Sequence, residues 1–120
     1  MSAARKSSGN SGAPERNAAI RGIGASRSRM PALRRAQVLA ISRALSDPTR
    51  YRILQRIAAA KICTCADLRE RSRISAATLS HHLKELETAG LISIARRGKF
   101  ALPAFCRQVW KTYLAQLAEL

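Results

Sequence analysis

The four residues Ser72-Arg73-Ile74-Ser75 join two short segments that each carry their own helix signals. Thr64 and Asp67 are spaced as a capping box, with Asp where Glu or Gln is usual, and predict a helix from about Cys65 to Ser72. Ser75 is a good N-cap for a second helix, from Ala76 to Thr88, with Leu79, Leu83 and Leu86 as its apolar stripe. Gly90 supplies that helix's C-terminal stop. Two short helices on so short a polar link read as a helix-turn-helix.

The flanking segments fit the same plan. From Met30 onward, Leu33, Ala36, Val38, Leu39, Ile41 and Leu45 are spaced for one apolar helix face. Asp47 then caps a new helix with Pro48 at its first position. Its expected buried face is Tyr51, Ile53, Leu54, Ile57 and Ala58, with Arg50, Arg52 and Arg56 opposite. After the Gly90 stop, Leu91–Ala95 is short and β-branched, and Arg96-Arg97-Gly98-Lys99 reads as a turn. Phe100-Ala101-Leu102 should pair back, with Pro103 ending the strand. A last helix is expected from about Ala104 to Leu117, with Val109, Trp110, Tyr113, Leu114 and Leu117 on one face. The predicted fold is mainly α with a small β-hairpin: a winged helix-turn-helix of five helices plus a wing, occupying residues 30–120.

Charge bounds the partner. Lys and Arg number 22 against 7 Asp and Glu, a net charge of +15. Small soluble domains carry about 2 to 8, so this excess calls for a polyanion, with nucleic acid ahead of an anionic membrane surface. No apolar run is long enough to span a bilayer. Residues 1–29 are rich in Ser, Gly, Ala and Arg, with Glu15 the only acid, and are expected to be a disordered basic arm adding phosphate contacts. Their composition also resembles an organellar transit peptide, and Met30 is an alternative start. Aromatics are 4% of the chain, so the core must be aliphatic, and a domain this small gains from dimerisation. Three cysteines form no paired framework and suit a reducing cytoplasm.

The candidate DNA-reading residues lie opposite the Leu stripe of the second helix-turn-helix helix: Ser75, Ala76, Ala77, Thr78, Ser80, His81 and Lys84. Small side chains let the helix approach the major-groove floor, and Ser or Thr can bond base edges or phosphates. Arg96, Arg97 and Lys99 on the hairpin suit the backbone or an adjacent minor groove. His81 and His82 lie about 100° apart around a helix, unlike the i, i+4 spacing of paired metal ligands. His82 is expected to be a structural histidine that hydrogen-bonds locally, and His81 to face DNA. The competing reading is a basic RNA- or ribosome-associated protein without operator specificity. It explains the charge but not a wing after a recognition-type helix. No general base is positioned beside the cysteines and no Gly-rich cofactor loop is present, so no catalytic residues are assigned and no enzyme activity is expected.

The stretches "LSDPTRYRILQRI", "ISAATLSHHLKELETAGLI" and "ARRGKF" resemble the ArsR/SmtB family of winged-helix repressors over residues 33–120. The resemblance implies a homodimer on a palindromic double-stranded DNA operator, released by a ligand. It also implies a dimer interface on the first and last helices, at Leu33, Leu39, Val109, Trp110, Tyr113, Leu114 and Leu117. Two recognition helices would then enter successive major grooves about 34 Å apart.

Cys63, Cys65 and Cys106 are the candidate signal-sensing residues. Cys65 falls in the first turn of its helix, where the dipole and free N–H groups favour a thiolate, with Lys61 close in sequence. Cys63 precedes the cap, where an apolar residue often packs. The family's arsenite sensors read Cys-Val-Cys-Asp-Leu-Cys where this chain has Cys63-Thr64-Cys65-Ala66-Asp67-Leu68-Arg69. The resemblance therefore implies As(III) or another thiophilic metal at Cys63 and Cys65, but Ala66 is extra and no third cysteine follows. Family redox sensors suggest pairing of Cys63 or Cys65 with Cys106. A third reading is that the thiols sense nothing and pack as small hydrophobes. The family's zinc site on the last helix needs Asp, His and Glu, and only Glu119 is present there.

Overall fold

The structure, a computed structural model, describes residues 30–120. The expectations for residues 1–29 lie outside the described residues. All elements belong to the unit Ala32–Leu120. They are α1 (Arg35–Leu45), α2 (Pro48–Ala59), α3 (Cys65–Ser72), α4 (Ala76–Thr88), β1 (Ile92–Arg97), β2 (Phe100–Phe105) and α5 (Arg107–Ala118).

The helix-turn-helix forms because its caps form. Thr64 Oγ1 accepts from Asp67 N at 3.1 Å, and Asp67 Oδ2 accepts from Thr64 N at 3.3 Å. Asp thus completes the capping box. Ser75 Oγ accepts from Thr78 N at 3.1 Å and starts α4. The turn between them places Arg73 at φ 56, ψ 45, the left-handed conformation that usually falls to Gly. At the far end of α4, Gly90 takes φ 84. Its N–H donates to Glu87 O and the N–H of Leu91 to Leu86 O, the two bonds of a Schellman stop. Leu86 and Leu91 are both fully buried, so the stop is also packed into the core.

Ile41, Ile53, Leu68, Leu86 and Leu91 occupy the centre, one or more from nearly every helix. Asp47 caps α2 by accepting from Arg50 N at 2.8 Å. Arg50, expected on the outer face, is half-buried instead. Its Nε donates to Ala44 O at 3.1 Å, and its Nη1 lies 4.0 Å from Glu85 Oε1 on α4. Tyr51, expected in the core, is 45% exposed. Helix α1 begins at Arg35 rather than Met30. Leu33, just outside it, is buried because Gln116 of α5 holds both its backbone N–H and its C=O.

The hairpin is longer than the sequence suggests. β1 and β2 pair antiparallel from Ile92↔Phe105 to Arg97↔Phe100. Arg96 and Arg97 end β1, and the turn is Gly98-Lys99, with Gly98 at φ 59 in the position a type II′ turn requires. Pro103 does not end β2. It pairs with Ile94 and is buried. In a two-stranded sheet each strand has a free edge, so a missing N–H can face away from the ladder. Ala104 and Phe105 therefore extend β2, and α5 starts at Arg107. Trp110 on α5 lies between Phe105 and Tyr113, at ring separations of 6.1 and 5.7 Å.

Candidate nucleic-acid interface

Helix α4 divides cleanly. Leu79, His82, Leu83 and Leu86 are buried, while Ser75, Ala76, Ala77, Thr78, Ser80, His81 and Lys84 are all exposed. Its first turn carries no acidic residue. The exposed N-terminal half thus offers small side chains, hydroxyls and a helix N-terminus, a combination that accepts phosphate and permits close approach to bases. On the hairpin, Arg96, Arg97 and Lys99 are exposed. Lys99 Nζ sits 5.7 Å from the centroid of the exposed Phe100 ring. Arg73, exposed in the turn two residues before Ser75, is a further basic group outside the expected set. Only its place next to the α4 cap marks it in the sequence.

His82 is buried, as expected, but its local hydrogen bond is not made at Nδ1. That atom has no partner. The nearest carboxylate oxygen, Asp47 Oδ2, lies 3.9 Å away. Burial, the largest influence, holds the imidazole below its usual value. Asp47 opposes that effect, and Arg50 and His81 add to it. His81 is exposed, 5.6 Å from the His82 ring at a tilt of 54°.

The expected interface residues separate into two groups. Leu33, Val109 and Tyr113 are buried within the single chain, where Tyr113 Oη lies 3.0 Å from Ser42 Oγ of α1. Trp110 is half-buried. Leu39, Leu114 and Leu117 remain 48%, 46% and 36% exposed, and Leu120 is 99% exposed. Helices α1 and α5 thus carry an uncovered apolar surface after the monomer's own packing is complete.

All three cysteines are free thiols and half-buried. Burial raises the Cys65 thiol above its ordinary value, against a smaller lowering effect of Arg96. The expected helix-stabilised thiolate is therefore not what the surroundings favour. Burial raises Cys63 as well, helped by Asp67 and Cys65 and opposed by Arg71. The two residues also line different cavities: Cys63 with Arg56 and Arg71, between α2 and α3, and Cys65 with Ser80 and Leu83, between α3 and α4. This donor set does not fit a three-thiolate metal centre. Among the described residues, no group of three His, Cys, Asp or Glu is placed to hold an ion.

A helix-turn-helix domain model matches residues 45–94, from the end of α1 to the middle of β1. The arsenical resistance operon repressor of Staphylococcus xylosus is 40% identical over 58 residues, covering 48% of this chain and 55% of that protein. The transcriptional repressor SdpR of Bacillus subtilis is 40% identical over 60 residues, covering 50% and 66%. The crystal structure of an ArsR family transcriptional regulator superposes with a TM-score of 0.65 at 27% identity, covering 74% of this chain and 91% of that one. In sequence and fold the chain is similar to the ArsR family of winged helix-turn-helix proteins.

The matched segment includes α2, α3, α4 and the first half of β1, and so the exposed face of α4, but it stops before Arg96, Arg97 and Lys99. The family is one of DNA-binding regulators and not an enzyme class. The matched segments span little more than half to two thirds of the two repressors. Among the described residues, no helix is long and apolar enough to cross a membrane.

Proposed function

We propose that this chain is a sequence-specific DNA-binding transcriptional regulator, acting in the cytoplasm as a homodimeric repressor that a small signal releases from its operator. The observation that carries this reading is the exposed, acid-free face at the front of α4, formed by Ser75, Ala76, Ala77, Thr78, Ser80 and His81, followed by a hairpin that carries Arg96, Arg97 and Lys99 at its tip. In the proposed complex, Ala76, Ala77, Thr78, Ser80 and His81 meet base edges, while Lys84, Arg73 and the wing residues meet phosphates. The uncovered Leu39, Leu114 and Leu117 support association of two copies through α1 and α5. A twofold dimer matches a palindromic site with half-sites one helical turn, about 34 Å, apart.

Footprinting on DNA upstream of the chain's own coding region tests this reading. The expected result is two protected half-sites related by a dyad, with sedimentation showing a dimer that Leu114→Glu converts to monomer. A single unsymmetrical footprint from a monomeric wild-type protein would contradict it. The release step is tested by titrating the DNA complex with arsenite, zinc, cadmium, peroxide and polysulfide. Repeats with Cys63→Ser, Cys65→Ser and Cys106→Ser identify any thiol that carries the response.

A further inference from the structure

Between the C-terminal end of α2 and α3 lies a cavity of about 370 Å³ lined by none of the candidate DNA-contact residues. Its size is within the range of small-molecule sites, about 300–1,000 Å³, and so is its character of apolar walls with a few placed polar groups. Leu68 forms part of the floor, and Ile62 stands at the wall with 81% of its surface exposed. Two arginines, Arg56 and Arg71, line the same space. The one carboxylate in the lining, Asp67, is engaged in capping α3 through Thr64 N. Arg56 donates to a neutral group, Ser72 Oγ, at 3.0 Å. Among the described residues neither arginine forms an ion pair with a carboxylate. Two cations, an apolar floor and an uncovered isoleucine together are complementary to a ligand with an anionic head and an apolar body.

We infer that this cavity binds a small organic carboxylate, its head between Arg56 and Arg71 and its apolar part against Ile62 and Leu68. Such a ligand bridges α2 and the first helix of the helix-turn-helix. The Arg56–Ser72 bond that joins the same two helices lies beside it, so occupancy is coupled to the angle at which α3 and α4 are held. That coupling to DNA rests on the proposed regulatory function, whereas the binding itself does not.

The test is an amide NMR titration of the full chain, without DNA, using benzoate, its neutral counterpart benzyl alcohol, and acetate at matched ionic strength. Benzoate should produce saturable shifts at Ile62, Cys63 and Leu68. Benzyl alcohol and acetate should each bind about tenfold more weakly, for lack of the head or of the apolar body. Arg71→Gln should weaken benzoate about tenfold while leaving amide positions in α4, β1 and β2 unchanged, so a loss of folding cannot mimic the result. Shifts that do not saturate, equal responses to benzyl alcohol, or undiminished affinity in Arg71→Gln would overturn the inference. Because no DNA is present, that failure would leave the proposed DNA-binding function standing.

Discussion

The Asp47 carboxylate and the His82 imidazole face each other at 3.9 Å, joining the cap of α2 to the buried side of α4 without a hydrogen bond. Arg50 and His81 also act on this imidazole, and Glu85 lies beside Arg50. Burial is the largest influence and keeps the folded His82 below the ordinary value of 6.5. The unfolded chain therefore binds the proton more readily. The stabilisation is complete above that value and is lost as pH falls through it toward the lower folded value. Asp47 is lowered from 3.8, chiefly by the Arg50 backbone N–H, so its own contribution persists until more acidic pH.

The measurable consequence is a fall in the urea midpoint of the wild type between about pH 7.5 and about pH 5.5. His82→Leu removes the titrating group and should flatten that dependence. An equal fall in the variant would assign the effect to other groups.

Gly90 should resist substitution. Its φ of 84 is unfavourable for an L side chain, and a Cβ there would lie 2.6 Å from Gln37 Nε2. The Gln37 side chain is flexible, but moving it gives up its 3.3 Å bond to Ala89 O. Gly90→Ala is expected to destabilise the fold by about 1–2 kcal/mol, mainly through the backbone. A urea midpoint equal to wild type would show that the Schellman stop does not depend on glycine.

The proposed phosphate role of the wing predicts a particular signature. Arg97→Ala with Lys99→Ala should weaken binding by a similar factor on every DNA sequence. The slope of log affinity against log salt should shrink by about 1 for each phosphate no longer neutralised. Both residues are exposed, so stability should not change. An unchanged slope would remove the wing from phosphate binding.

Ser80 and His81 are proposed to read bases. Ser80→Ala and His81→Ala should each cost about 1–3 kcal/mol on the preferred operator and much less on random DNA. Equal losses on both DNAs would reassign these residues to the backbone.

What the sequence made legible was local. Helices α3 and α4 begin and end where Thr64, Asp67, Ser75 and Gly90 mark them, because caps act on neighbouring N–H and C=O groups. Features that depend on distant partners were read less well. Pro103 reads as a strand end from its own chemistry, but its place opposite Ile94 is decided by the hairpin register. Leu33 and Tyr113 fit an apolar interface face, yet Gln116 and Ser42 tie them into the monomer across 83 and 71 residues of sequence. Tyr51 matches the helical period at one border of the apolar stripe, where nothing local distinguishes an edge position from a buried one. Cys65 has the helix position of a thiolate, but burial outweighs it. The candidate reading face of α4 follows from the Leu stripe alone, since a helix that buries one side fixes what the other presents.

Sequence-specific DNA binding is the central claim. Its most direct measurement is competition at about 150 mM salt among a DNA fragment from the chain's own promoter, random duplex DNA and RNA of equal length. The predicted result is a preference of about a thousandfold or more for one promoter site over random duplex. Binding of random DNA or RNA as tight as that of the promoter fragment would contradict it.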